Sequence, residues 1–406
     1  MNVFSTIDAA TLIVLCACAV WLIFFAIVGL NGLAMKPLAS EVLPQMTSFP
    51  RLSVIIAACN EADTIGQALQ SLLGTTYPNL EIIIVNDRST DETGTIIDRL
   101  AAQDKRIKTL HVTTLPTDWL GKVHALHVAS EAATGDFLLF TDADIHFVPE
   151  TLTHAIAFAE QHQLDHLAMA PETRKPSSVS AVQQWLISLV IAGFSALFLF
   201  AMRIRKLRKP DSKAFVGIGA FNLVRKSAFR KTGGFAWLKM EVLDDVGLGM
   251  MMKRSGARCD CVNGVGLIHL EWYPTLSAIR QGFEKNFFAG FGHYRWLRIM
   301  WRVTQLAAMV FLPWAVALWV WWSSAQVLLV FLLVCVHIAL PVGIATWKRK
   351  GLPVEVSVFA ALPLAFAFVI AFMLRSAWHV SRKGGITWRG TFYSLETLRR
   401  EQRVRM

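Results

Sequence analysis

The sequence predicts an α/β fold: a doubly wound, mostly parallel sheet set between N-terminal and C-terminal transmembrane helices. Three observations predict it. Short apolar runs of strand length alternate with helical segments between residues 52 and 140, the pattern of βαβ units. Acidic residues follow those runs at their C-terminal ends. Long uncharged stretches flank the region on both sides.

Residues 9–35 form the first uncharged stretch, longer than the roughly 20 residues an apolar helix needs to cross a bilayer. Only Asp8 precedes it as a charge and no small-residue cleavage site follows, so it reads as a permanent anchor rather than a signal peptide. A proline-containing linker, 36–51, leads to the apolar run Leu52–Ala58, the first strand. Residues 60–73 repeat apolar positions at helical spacing, and 80–85 (LEIIIV) form a second buried strand that ends on Asn86, Asp87 and Arg88. A helix over 92–103, a strand over 108–112, a helix over 122–133 and a strand over 137–140 complete the alternation.

Residues 176–202 are again uncharged. A crossing there would put Asp244 and Asp245 on the opposite side of the membrane from Asp142 and Asp144. A helix over 178–202 lying in the interface, or a shallow hairpin, is therefore expected. Residues 303–347 fit a helical hairpin turned at Trp321, Trp322, Ser323 and Ser324. Residues 356–374 fit one further span, with Pro363 leaving room for a kink or a re-entrant segment. From 375 onward the tail is polar and basic, hence cytoplasmic by the positive-inside rule; counting 356–374 as a full third crossing would put it outside, and the sequence leaves this open.

Hydrophobic residues make up 54% of the 406 and charged residues 17%, against about a quarter charged in soluble proteins. The net charge of +11 sits largely beside apolar segments, at Arg203, Arg205, Lys206, Arg208 and Lys209 and at Lys348, Arg349 and Lys350. That placement points to anionic lipid headgroups and topology rather than to nucleic acid. Six cysteines imply no disulfide framework, and Cys259-x-Cys261 has no second Cys/His pair at zinc-like spacing. Burial on a strand explains it better.

In open α/β sheets, ligands bind beyond the carboxyl ends of the strands. Asn60 and Glu61 follow the first strand, Asp87 the second, and Asp142 and Asp144 the fourth, so distant stretches converge on one edge. The Asp142-x-Asp144 pair suits Mg²⁺ or Mn²⁺, which takes one or two carboxylates and fills its other positions with water and substrate phosphates. A nucleotide diphosphate fits that description.

Five motifs in order then resemble the family 2 glycosyltransferases of GT-A fold: Ala57-Ala58-Cys59-Asn60-Glu61, Val85-Asn86-Asp87-Arg88-Ser89, Trp119-Leu120-Gly121-Lys122, Thr141-Asp142-Ala143-Asp144 and Glu241-Val242-Leu243-Asp244-Asp245. The layout, and the ending Ile386-Thr387-Trp388-Arg389-Gly390, are similar to bacterial hopanoid-associated and carotenoid glycosyltransferases and, more distantly, to ceramide glucosyltransferase. The implied organisation is an anchor over 1–36, a catalytic domain over 50–296, membrane helices over 303–374 and a basic tail over 375–406. The implied activity is inverting transfer from a UDP-sugar to a membrane lipid, with the catalytic domain on the cytoplasmic face of a multi-pass inner-membrane protein.

The resemblance gives Asp87 the nucleotide base, Asp142 the ribose or donor sugar, and Asp144 the metal with Asp142. Lys122 faces the donor, with Asn60 and Glu61 at its nucleotide end. Asp245 is the general base, beside Asp244, because a lipid or sugar hydroxyl must lose its proton as it attacks. Gly217 and Gly219 would line the acceptor pocket. Polymer-forming relatives carry Gln-x-x-Arg-Trp where this chain has Gln281 and Lys285, which argues against processive synthesis; Lys285 would then supply positive charge to the diphosphate. A processive polysaccharide synthase and a non-catalytic multi-pass protein that binds nucleotide sugar are the competing readings.

Overall fold

A computed structural model describes residues 9–176, 179–324 and 356–405. The chain divides into an α/β unit (Ala34–Arg174, Met202–Trp272, Lys383–Met406) and a helical unit (Met1–Leu33, Lys175–Ala201, Tyr273–Arg382).

The α/β unit is built on a seven-stranded sheet. Its strands are β1 (Leu52–Ala58), β2 (Leu80–Asp87), β3 (Ile107–Val112), β4 (Phe137–Thr141), β6 (His166–Ala170), β8 (Asn222–Arg225) and β9 (Cys259–Asn263), in the order β3-β2-β1-β4-β8-β6-β9. All pairs are parallel except those made by β8, which runs against both β4 and β6. Every residue of β1 and β4 is buried, as helices on both faces of a parallel sheet require. Val54, Ile56, Ile82, Ile84 and Leu139 lie at the centre of that core. The edge strand β3 is buried only at Ile107 and is exposed at Lys108 and His111, polar positions of the kind that keep an edge from pairing further.

Because β2 and β3 lie on one side of β1 and β4 on the other, the strand order reverses between β1 and β4. The ligand crevice of such folds opens at that switch point. A small second sheet, β5 (His146–Phe147), β10 (Ile268–Leu270) and β7 (Glu172–Thr173) in that order, and a terminal hairpin, β11 (Gly385–Trp388) with β12 (Thr391–Ser394), complete the strands. Cys259 and Cys261 are buried thiols on β9. Asp260 between them is held by Arg208 (Nε to Oδ2, 2.8 Å), so one member of the basic cluster serves the fold.

The helical unit contains Ala9–Ala34, Ala181–Met202, Leu276–Gly290, Trp296–Ser324, Val356–Ala360 and Leu362–Lys383. Trp21 packs edge-on to Phe366, and Phe24 meets Phe200. Gly193 lets Ala365 approach closely, the small-residue contact that brings apolar helices together. Ala181–Lys206 and Leu362–Lys383 are long and apolar enough to cross a membrane.

Two expectations change here. Residues of the 178–202 segment from 181 onward form one unbroken helix, so the shallow hairpin is excluded. Trp321, Trp322, Ser323 and Ser324 are the last described residues of the Trp296–Ser324 helix rather than a turn; residues 325–347 of the 303–347 block lie outside the described residues. Pro363 lies two residues after Ala361, the single residue that separates the Val356–Ala360 and Leu362–Lys383 helices, so the interruption falls where a proline removes a backbone donor.

Candidate active site

At the end of β4, Asp142 donates its backbone N–H to the Gly219 carbonyl (3.0 Å), and the Gly219 N–H donates to Asp245 Oδ2 (2.9 Å). The glycine loop therefore ties the Asp-x-Asp turn to the first turn of the Asp244–Arg254 helix. A Cβ at Gly219 would lie 2.5 Å from Asp142 Oδ2, a Cβ at Gly217 would overlap the Asp245 carbonyl, and one at Gly249 would overlap that of Val216. Sequence reasoning gave Gly217 and Gly219 to the acceptor. The structure gives them close backbone packing that sets the position of Asp245.

Lys122, the second residue of the Gly121–Ala132 helix, reaches Asp142 Oδ1 (2.8 Å) and Asp244 Oδ2 (3.2 Å). Burial alone would discharge its ammonium, but Asp142, Asp244 and Asp245 outweigh burial and hold its pKa above the ordinary value. Asp245 accepts the Val246 N–H on its other oxygen (2.8 Å). Burial and the neighbouring Asp244 push its pKa up to about 6, with Lys122 opposing them. Lys122, Asp142, Asp244 and Asp245 line one small pocket together with Phe140 and Phe235.

Asp144 makes no ion pair among the described residues, and burial together with the charges of Asp142 and Glu61 pushes its pKa up to about 7. Crowded carboxylates short of cations suit a divalent ion. Among the described residues no group of three or more His, Cys, Asp or Glu side chains is placed to hold one. The protein would thus contribute Asp144 and Asp142, the low ligand count typical of Mg²⁺ sites completed by phosphate and water. Burial likewise raises the pKa of Glu61, opposed by Arg389.

Among proteins of known type, the profile of the Glycosyl transferase family 2 matches residues 53–233. The chain contains a family 2 glycosyltransferase domain. Over 361 residues the chain is 22% identical to a 4,4'-diaponeurosporenoate glycosyltransferase from Staphylococcus aureus (strain MRSA252), covering 85% of this chain and 88% of that protein. The mannosyltransferase PcManGT from Pyrobaculum calidifontis, solved in complex with GDP-Man and Mn²⁺, superposes with a TM-score of 0.54 at 17% identity, covering 90% of this chain and 99% of that one. The fold is GT-A.

At the carboxyl ends of β1 and β2, Asn60 turns the chain after β1 with φ +57 and accepts the Thr90 N–H on Oδ1 (2.8 Å), which holds the loop after β2 in place. Asp87 is fully buried. Its Oδ1 accepts from Arg88 Nε (2.8 Å) and its Oδ2 from Arg389 Nη1 (3.1 Å). Direct contact between Asp87 and a base would require Arg389 to move aside. Lys285 lies on Leu276–Gly290, in the helical unit rather than the glycosyltransferase domain.

Sequence reasoning gave no role to Arg389, Thr391, Tyr393 or Glu241. The first three sit in a tail expected to be a separate basic segment, yet 383–406 belongs to the α/β unit. One signal was present: alternating residues on either side of Arg389-Gly390 have the form of a two-residue hairpin.

Proposed function

We propose that this glycosyltransferase moves one sugar from a UDP-sugar to a hydroxyl of a membrane lipid with inversion, and that Asp245 is the general base. The observation that carries the reading is the meeting at the end of β4 of Lys122, paired with Asp142 and Asp244, and Asp245, joined to Asp142 through the backbone of Gly219.

The acceptor oxygen attacks the anomeric carbon, the bond from that carbon to the diphosphate oxygen breaks, and the hydroxyl proton passes to Asp245. Inversion follows because attack comes from the face opposite the leaving group. The two backbone N–H groups on Asp245 fix the direction of its carboxylate while leaving lone pairs for the proton, since a carboxylate has about four acceptor sites. A pKa of about 6 keeps the group ionised near neutrality yet basic enough to take a proton. Lys122 pairs with Asp142 and Asp244 and offsets one of their two charges, which leaves Asp245, among the described residues, as the carboxylate of the three without an ion-pair partner at hydrogen-bond distance. Asp142 and Asp144 hold Mg²⁺ or Mn²⁺, which when bound offsets negative charge on the diphosphate. Asn60, Glu61 and the Asp87 edge receive the nucleotide.

The lipid acceptor is supported by the Staphylococcus aureus relative, named for 4,4'-diaponeurosporenoate, and by the two helices of membrane-spanning length. The apolar helices also support a membrane location, and the Lys/Arg cluster at Arg203, Arg205, Lys206, Arg208 and Lys209 favours the cytoplasmic side for the α/β unit.

The test is turnover by the full chain in detergent with Mg²⁺ or Mn²⁺, extracted membrane lipid and a panel of UDP-sugars plus GDP-mannose, read as nucleotide release and glycolipid mass. Wild type yields both products. Asp245→Asn binds donor normally and loses about 10²- to 10⁴-fold in turnover; a variant at the wild-type rate removes Asp245 as base.

A further inference from the structure

We infer that the C-terminal hairpin is part of the donor site, with Arg389 acting as a positioning residue that sets the nucleotide-binding edge through Asp87. This rests on the nucleotide-sugar reading above.

The hairpin pairs Gly385 with Ser394 through Trp388 with Thr391, leaving Arg389 and Gly390 as a two-residue turn with φ +48 and +74. Such turns need positive φ at both positions and favour Asn-Gly or Gly-Gly. An arginine there is held in the left-handed region, which is unfavourable for any side chain with a Cβ. What the position achieves is contact. Arg389 Nη1 donates to Asp87 Oδ2, and Nη2 donates to the Ala57 carbonyl (2.9 Å), so one guanidinium ties the carboxyl ends of β1 and β2 together beside the switch point.

Two neighbours repeat the arrangement. Thr391 Oγ1 accepts from Arg88 Nη1 (2.9 Å), and Tyr393 Oη accepts the N–H of Gly121 (3.2 Å), one residue before Lys122. Arg88 is itself left-handed, with φ +56. Two guanidiniums meet the single carboxylate of Asp87, with the Glu61 carboxyl also in the field of Arg389, and Arg88 Nη2 is buried without an acceptor. A buried donor without an acceptor is unfavourable; an acceptor oxygen of a nucleoside diphosphate would satisfy that donor.

Farther on, the tail is fastened at the opposite end of the site. Glu241 is buried, and its Oε2 accepts the N–H groups of Arg403 and Val404 (2.8 Å each) while Oε1 accepts that of Leu243 (3.1 Å). Val404 packs with Leu243, Val246 and Met250 around the acid pair. The chain end thus spans from the nucleotide edge to the catalytic carboxylates.

Calorimetric titration of the full chain with UDP and with GDP, alongside steady-state kinetics, tests this. Arg389→Gln is expected to raise both the nucleotide Kd and the donor KM by about tenfold or more, the loss expected for a buried charge-assisted hydrogen bond, with kcat within about threefold of wild type. Arg389→Lys recovers part of the loss. Tyr393→Phe, which removes one hydroxyl and little packing, shows a smaller rise of the same kind and carries the test if Arg389→Gln does not fold. An unchanged Kd in all three variants overturns the proposal, as does tighter binding, which would make the hairpin a cover. A fall in kcat with KM unchanged also overturns it. Wild type that binds neither nucleotide overturns the nucleotide-sugar reading and this inference with it, whereas wild type that binds and variants that bind equally well overturn only the inference.

Discussion

Asp245 owes its basicity to its immediate surroundings. Burial and the adjacent Asp244 raise its pKa, and Lys122 restrains the rise. A carboxylate with a raised pKa loses its charge as pH falls through that value, so the base is lost on the acid side. We expect kcat/KM to be flat above pH about 6 and to fall about tenfold per unit below it, measured with saturating metal. Asp244→Asn removes a repelling charge and leaves Lys122 to act more strongly on Asp245. Both effects lower the pKa, so the inflection should move to lower pH in that variant. An inflection that stays in place would separate the pH dependence from this pair. The residue types were visible in the sequence, because an acidic pair and an Asp-x-Asp turn are local patterns. The links from Lys122 to Asp142 and Asp244, and from Arg389 to Asp87, were not, since they join residues up to 302 positions apart.

The element that positions the base is the Asp244–Arg254 helix, seated against the glycine loop by backbone contact at Gly217 and Gly249. A methyl group at 217 meets a carbonyl that belongs to the helix and cannot rotate away. Gly217→Ala should therefore cost about 1–3 kcal/mol of stability, as overpacking does, and should lower kcat more than it raises donor KM, because Asp245 is displaced. Thermal melting together with steady-state kinetics checks both parts, and a variant unchanged in both would mean that the loop yields easily. Strands β1, β2 and β4 were legible as apolar runs because burial on both faces makes consecutive positions apolar, as in residues 54–58, 82–85 and 137–140. The two-residue strands β5 and β7 and the antiparallel β8 were not read. A strand of that length carries no period, and its pairing is decided by its neighbours.

Across the whole molecule, stability depends on a histidine far from the chemistry in sequence. His166 on β6 is buried, with Nε2 against Asn222 Oδ1 (3.0 Å) on β8, and burial lowers its pKa to about 4. Above pH about 6.5 the folded and unfolded chains both hold it neutral, so it adds no pH dependence. Between about 6.5 and 4 the unfolded chain takes up a proton that the folded chain refuses, and stability falls by up to about 3 kcal/mol. Melting temperature in detergent should drop between pH 7 and 5 in wild type and drop less in His166→Gln; equal drops would show that another group controls the acid limb. The sequence by itself determined the alternation of strands and helices, the apolar stretches and the chemical types gathered at the carboxyl edge, because periodicity and composition act over a few residues. Only the tertiary structure decided that the glycine loop packs against the base's helix, that the chain end returns to the donor edge, and that Asp87 lies beneath two arginines. Those contacts depend on which distant segments share a surface, and no local pattern encodes that.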